Sequence, residues 1–380
     1  MSVSKTNYIH NLPLINSQVY PKGLDYVLGK MIYHGFDKAI NIIKPDFVHE
    51  LPEDLRFNPY VDSKVYGCMH YGIMISDLPE PFKFLACASI IGNSGFRVFD
   101  IDHASRKYGP LGMVTLAHGT AVSTHNGFSS HDVHQEFKYK DDGSLLKFGD
   151  RAEVSGSYPN YRLQSQDQDC VIDLELTATG EITWFAKSKT YDHLSLLTRY
   201  KGTIIYQGET HNVSGLCTYE YARGVSVYDI VNKPLPFEYK LPFEFFSYQV
   251  MNLDKDTQLV MAYCQAVGYP TLTGGYLRRA NQSSKGIQGT VIFEVLEVDP
   301  EPKVDPDGIE MLLPRRFRWV FRDKDQDIDL EVNATVDCNW LYGLGRGYIS
   351  GYAWQGFDHG KETQGRGYIE YVDTRFGKSE

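Results

Sequence analysis

No run in this 380-residue chain is apolar for long enough to cross a bilayer as a helix, which takes about 20 such residues. Cysteine is scarce. The six, Cys68, Cys87, Cys170, Cys217, Cys264 and Cys338, are scattered without a C-x-x-C pair. Neither a zinc knuckle nor a disulfide framework is therefore indicated, and buried free thiols are expected. Positive charge is in deficit: 38 Lys and Arg against 48 Asp and Glu leave a net charge of -10. Gripping nucleic-acid phosphates needs a concentrated excess of basic residues, so that partner class is excluded. The one basic stretch, Pro314–Arg318, is followed by Asp323, Asp325, Asp327 and Asp329 and has the character of a solvated strand end. The opening Met1–Asn7 lacks the uninterrupted apolar core of a secretory signal, and a cytoplasmic protein without a transmembrane segment is expected. There is also no G-x-S-x-G elbow, no P-loop and no dinucleotide fingerprint. The glycines of Gly343-Leu344-Gly345-Arg346-Gly347 sit amid strand sequence, where they suit bulges or tight corners.

What the chain has in quantity is aromatic side chains, 27 Tyr and 20 Phe, and these favour strands. Its length suggests two or three domains. Near the N-terminus Leu24, Val27, Leu28, Met31, Ile32, Phe36, Ala39, Ile40 and Ile43 recur at helical spacing, with Asp25, Lys30, Asp37 and Lys38 elsewhere on the helix and Lys44-Pro45 as its stop. Such a helix packs on a core or lies on a membrane surface, and packing is the commoner use. From about residue 60 onward short runs of Val, Ile, Tyr, Phe and Thr alternate with turn residues, Ile172–Thr177 most strictly. Asp142-Gly143, Thr179-Gly180 and Gln207-Gly208 are expected hairpin turns.

An internal repeat organises these strands. Laying Ile172–Trp184 over Ile328–Trp340 matches Ile, Asp, Leu, Glu, Ala, Thr and Trp in register. Tyr206–His211 then matches Trp354–His359, and Gly215–Tyr221 matches Gly365–Tyr371, in the same chain order. A repeat of this length is a whole domain, longer than solenoid or propeller units. Each copy must close its own antiparallel sheet, most simply as a barrel, and an eight-stranded barrel can hold one small ligand. The expected organisation is a helical or extended segment at 1–59, a first barrel at 60–231 and a second at 232–380, with the proline-rich Asn232–Pro242 at the boundary. The turn-rich Asp299–Pro314 is expected to be an exposed connection between two strands of the second copy.

Gly215–Gly224 and Gly365–Glu370 resemble two signatures of the lipocalin-like superfamily of AttH-like proteins and acyclic carotenoid hydratases (hydroxyneurosporene synthase-like). The first signature is roughly G-x-x-x-x-D-H-x-W-G and the second G-x-G-[WYF]-[VI]-E. The resemblance implies an all-β fold of two tandem lipocalin-like antiparallel β-barrels. Where the hydratases carry Asp-His this chain has Glu220-Tyr221, and Arg223 replaces the tryptophan, so proton transfer by that histidine does not carry over.

The leading expectation is a barrel cavity that binds a hydrophobic small molecule, a lipid, terpenoid or steroid-like compound, without a cofactor. The alternative is a cofactor-independent hydratase, isomerase or cyclase acting on such a molecule; a third is a scaffold with sealed barrels. Glu220 and Tyr221 are the candidate catalytic residues, and Tyr219, Arg223, Trp184 and His211 the candidate ligand contacts. The duplication offers a test, because a residue needed for folding should recur in both copies. Glu220 and Glu370, His211 and His359, and Trp184 and Trp340 all recur, which favours structural roles for them. Tyr219 and Arg223 face Ile369 and Asp373 in the alignment and break the symmetry. His118, His125, His131 and His134 cluster in sequence, but their spacing matches no metal-ligand pattern, and a polar rim or acid–base role is expected instead.

Overall fold

The computed structural model describes residues 13–42, 44, 47, 49–167 and 170–377. Met1–Asn7, Ile43 and Pro45, which entered the reading of the N-terminus, lie outside the described residues. The chain is all-β, with one long N-terminal helix, α1 (Leu24–Ile40), and a short α2 (Asp102–Tyr108). The first sheet begins with β1 (Cys68–Ile75), β2 (Leu85–Ile91), β3 (Met113–Thr120), β4 (Phe128–Asp132), β5 (Phe137–Tyr139) and β6 (Leu145–Phe148). It continues through β7 (Ala152–Ser157), β8 (Asn160–Asp167), β9 (Cys170–Lys187), β10 (Tyr191–Tyr206) and β11 (Glu209–Gly224). The second begins with β12 (Phe243–Asn252), β13 (Thr257–Ala266), β14 (Tyr269–Arg279), β15 (Gln282–Gly286) and β16 (Gly289–Val298). A small hairpin, β17 (Lys303–Val304) and β18 (Glu310–Met311), intervenes before β19 (Pro314–Asp323) and β20 (Asp329–Val336). The chain then completes the sheet with β21 (Leu341–Leu344), β22 (Gly347–Asp358) and β23 (Lys361–Asp373).

The strand orders of the two sheets correspond. The first runs β4-β3-β2-β1-β11-β10-β9-β8-β7 before ending in β6 and β5, and the second runs β15-β14-β13-β12-β23-β22-β20-β19-β16. Both curl around their own cores. The first encloses Tyr71, Leu116, Leu163, Leu174, Leu196 and Tyr219, and the second Phe245, Tyr263, Phe293, Trp319, Tyr352 and Tyr371. The free ends of the first sheet are bridged where the Arg151 guanidinium donates to the Phe128 carbonyl at 3.2 Å. β2 and β3 are buried at every position, because one face lines the first core and the other is covered by the second sheet. That covered face carries small residues, Ala86, Ala88 and Ala117, packed among Phe84, Val250, Leu341 and Ile349, and close packing of two sheets demands such residues.

Two local expectations change, and a third holds. Thr179-Gly180 makes no hairpin: β9 runs through it, with Gly180 at φ +89° and a register shift opposite Leu196–Thr198 absorbing the irregularity. Gln207-Gly208 does turn, both residues at positive φ (51° and 83°), as the tight hairpin between β10 and β11 requires. Its sequence match Gln355-Gly356 lies in mid-strand, and the corresponding turn falls at His359-Gly360 (48° and 75°). The Asp299–Pro314 connection is solvated only in its first part, where Pro300, Glu301, Lys303, Val304 and Pro306 are exposed. Ile309, Met311 and Leu313 are buried in the second core, and Asp307 accepts from the Asp102 backbone, His103 and Arg106 of α2.

The two sheets are also tied by ions. Asp337, after β20, accepts from Arg366 at 2.7 and 2.9 Å and from Lys83 of the β1–β2 connection at 3.0 Å. Burial alone would raise its pKa, but these cations hold it at about 2, below the ordinary 3.8. A carboxyl depressed in this way stabilises the fold above the ordinary value, and the contribution disappears as pH falls through the folded one. Asp337→Asn is expected to lower stability by about 2 kcal/mol at neutral pH and to be indistinguishable from the parent near pH 2, as read from urea midpoints.

Candidate functional site

Side chains alternate along a strand, so Tyr219 and Tyr221 of β11 enter the first barrel while Thr218 and Glu220 point the opposite way, toward the second sheet. β12, β14 and β23 return the same alternation from the other side. Tyr248, Arg278, Tyr368 and Glu370 point toward the first sheet, so the two glutamates matched by the sequence repeat are brought into one buried polar cluster at the junction.

Glu220 is 1% exposed. One of its oxygens accepts from the Tyr248 hydroxyl, and the other lies 3.4 Å from His193 Nε2. A carboxylate can only accept, so Nε2 carries a proton; Nδ1 lies 3.1 Å from the Tyr191 hydroxyl and accepts from it whenever the ring is uncharged. His70 stands beside His193, their ring centroids 6.2 Å apart. Its Nδ1 donates to the Ser89 carbonyl at 3.1 Å, which leaves Nε2 unprotonated. Burial drives the His70 pKa down to about 4, so the ring is a neutral base at physiological pH.

The two glutamates ionise differently. Burial would raise Glu220, but the hydrogen bond and charge of His193, with His70 and Tyr248, bring it below the usual carboxylate range. Burial and then the negative charge of Glu220 push Glu370 well above that range, which favours its uncharged form; its Oε1 accepts from Tyr368 at 2.8 Å. The pKa values of the two carboxyls are thus pushed apart within one low-dielectric site. Arg278, fully buried, donates to Ser195 at 2.7 Å, to Thr218 at 2.8 Å and to Gln258, pinning β14 against β10 and β11.

On the His193 side Phe185 packs edge-on against His193, Tyr248 and Tyr276, and Phe185, Tyr191, Phe246, Ala262, Cys264, Gly274 and Tyr276 are only half-buried. Ala262 and Gly274 are register partners on β13 and β14, and a methyl group built at Gly274 would meet no atom within 4 Å. Free space therefore begins at this wall, bounded by the Phe185 and Tyr276 rings, whose centroids are 5.5 Å apart.

The residues singled out from sequence are dispersed. Glu220 stands in the junction. Tyr221 stacks on Phe57 inside the first barrel and donates to the Asn58 carbonyl at 2.8 Å, while Tyr219 meets Phe57 and Tyr161 edge-on. Arg223 pairs with Asp192 at 2.7 Å, donates to the Tyr60 hydroxyl at 2.7 Å and covers the Tyr66 ring. Trp184 donates to the Glu50 carbonyl at 3.2 Å beneath Lys187. His211 packs edge-on against Phe82 near the β10–β11 turn. His70, Tyr191, His193, Tyr248, Arg278 and Tyr368 carry no sequence motif; the only available signal was the recurrence of Glu220 and Glu370.

Of the clustered histidines, His118 is buried in β3 with its pKa lowered by burial to about 4, and His131 bonds Ser129. His125 lines a separate polar cavity of about 670 Å³ with Lys303, Arg315, Cys338 and Trp340, remote from Glu220. Among the described residues no group of three or more His, Cys, Asp or Glu is disposed to hold a metal ion, and no helix is long and apolar enough to cross a membrane.

The architecture is that of AttH-like, lipocalin-like proteins. A protein from Nitrosomonas europaea described as an AttH superposes with a TM-score of 0.56 at 13% identity, over 88% of this chain and 99% of that one. Kievitone hydratase from Nectria haematococca gives 0.49 at 10% identity, over 88% and 98%. CghA in complex with Sch210972 gives 0.41 at 9% identity, over 88% and 98%. A comparison with curated proteins finds no match. Residues 88–380 match the profile of DUF6670, a family of unknown function. Because that match spans more than half of the sequence, the chain belongs to the DUF6670 family.

Proposed function

We propose that this protein is an acid–base enzyme of the hydratase, isomerase or cyclase type, and that its substrate, a largely apolar small molecule, sits in the cleft between the two barrels. The observation that carries the reading is the chain of groups from two buried carboxyls, Glu370 and Glu220, through His193 to the Tyr191 hydroxyl, with open space at Gly274 on the facing sheet. In that arrangement the Tyr191 hydroxyl, whose proton points to His193 Nδ1, takes a proton from the substrate on its oxygen as it passes its own to His193, and gives one back by the reverse movement. His193, held in one tautomer by Glu220, takes up or returns the proton as the reaction demands. The neutral Nε2 of His70 is the second base. The aromatic walls bind an apolar skeleton, and the few polar groups orient it. The barrel interiors are less suited to a ligand, since Phe57, Tyr161, Tyr219 and Tyr221 pack ring against ring in the first and Phe293, Trp319 and Phe321 in the second.

Native mass spectrometry, with solvent extraction of any co-purifying molecule, supplies the substrate class. Gly274→Val then tests its location. The variant is expected to fold, because its side chain enters open space and valine favours strands, while binding of the extracted compound or of anilinonaphthalene sulfonate falls about tenfold or more. Unchanged affinity in a folded Gly274→Val protein would move the site out of the cleft.

A further inference from the structure

Helix α1 has two apolar faces, and only one is used. Gly29 is buried so closely against β14 that an added methyl would lie 2.3 Å from Tyr269 Cβ, and Phe36 packs on Phe243 with ring centroids 4.5 Å apart. From the second sheet the helix crosses toward the first, where the Ala39 carbonyl accepts from Thr190 and the Asn41 side chain donates to the Lys187 carbonyl. The helix is thereby fixed to both barrels and cannot roll. Its opposite face is left outward, with Leu24 80%, Val27 53%, Leu28 43% and Met31 67% exposed, and Val19 and Tyr20 exposed just before it. Contiguous exposed apolar side chains of this kind mark an interaction surface.

Charge identifies the occupant. Lys30, His34 and Lys38 recur every four residues and form a row alongside Val27 and Met31, with Lys22 just ahead of the helix. Asp37, half-buried and three residues after His34, is the one acid beside this row, and Asp25 lies on another side of the helix, so the row keeps a net positive charge. Tyr20 and Tyr26, each packed edge-on against Tyr269, supply amphipathic rings at the margin. We propose that this face of α1 docks on an anionic lipid surface, with the apolar side chains entering the acyl boundary and the basic row meeting the headgroups. The chain's net charge of -10 does not prevent this, because charges more than about 10 Å away are largely screened at physiological ionic strength. The inference is independent of the chemistry proposed for the cleft.

The test is flotation of the full chain with vesicles of phosphatidylcholine alone and of phosphatidylcholine mixed with phosphatidylglycerol. The parent should float with the mixed vesicles and much less with the neutral ones. Val27→Ser combined with Met31→Ser should reduce binding about tenfold or more, given what burying two such side chains is worth. Lys30→Glu combined with Lys38→Glu should remove the preference for anionic vesicles. Because all four side chains project outward, thermal midpoints should be unchanged. The proposal is overturned if the parent stays with the unbound fraction, or if both folded variants float as it does. It is equally overturned if the apolar variant converts a dimer into a monomer on size-exclusion chromatography, which would assign the face to a second copy.

Discussion

Replacing Arg346 by methionine is expected to lower the unfolding free energy by about 3–5 kcal/mol, the range found when one partner of a buried ion cluster is removed. Arg346, fully buried at the start of β22, donates to Asp102 at 2.7 Å, to Asp305 at 3.0 Å and to the Arg97 carbonyl at 3.0 Å. Without it Asp102 keeps Lys240 at 2.5 Å, but Asp305 keeps only its backbone donors, Asp307 and Ile309, and no cation. The hairpin of β17 and β18 would then be held to α2 only through Asp307, which keeps the Asp102 backbone, His103 and Arg106. Methionine fills similar volume, so the loss reports the unpaired charge rather than a cavity. The pH dependence supplies a second sign. Burial already raises the Asp305 pKa, against the pull of Arg346, and an unpaired Asp305 rises further. A raised carboxyl penalises the folded state above its pKa, so the deficit is complete at neutral pH and shrinks as pH falls through the carboxylate range. Adding Asp305→Asn should recover part of the loss. Urea denaturation that shows less than about 1 kcal/mol for the single variant would mean that the cluster relaxes to admit water.

The all-β class, the tandem duplication and the N-terminal helix were legible because they rest on periodicity, and periodicity survives without knowledge of tertiary contacts. The site was legible only in part, for three physical reasons. Grouping Tyr219, Glu220, Tyr221 and Arg223 treated neighbours in sequence as neighbours in space, although alternation sends Glu220 to the opposite face from the tyrosines. The duplication test assumed that the copies stand apart. In this fold they meet face to face, so recurrence at Glu220 and Glu370 is also what a shared junction produces. His70 and His193 are single histidines in unrelated strands, and nothing local connects them; only the pairing of β1 and β10 on either side of β11 does. The helical stripe was right in period and incomplete in meaning. A stripe of Leu, Val and Met cannot say which of its members find a partner, and here Gly29, Ile32 and Phe36 pack while Leu24, Val27 and Met31 do not.

Glu220→Gln separates a polar strut from a working carboxylate. Glutamine has nearly the same shape and can still accept from Tyr248, so the fold should be retained and binding of the extracted ligand should change by less than about threefold. Turnover should fall by about 10²–10⁴-fold, the usual contribution of a positioned acid–base group, because His193 loses the charge that fixes its tautomer and stabilises its protonated form. The effect belongs in kcat rather than KM, since Glu220 acts through His193 and lies behind it. The parent's rate should decline in acid as pH falls through the depressed Glu220 pKa, and the variant should lack that limb. Glu370 gives an internal check: with the charge of Glu220 gone, one of the causes that raises its pKa is removed, and it should ionise more readily in the variant. Tyr221→Phe is the control, since it loses one hydrogen bond to the Asn58 carbonyl, worth about 1 kcal/mol, inside the first barrel. Turnover that survives Glu220→Gln but fails in Tyr221→Phe would place the chemistry in the barrel and leave the junction as packing alone.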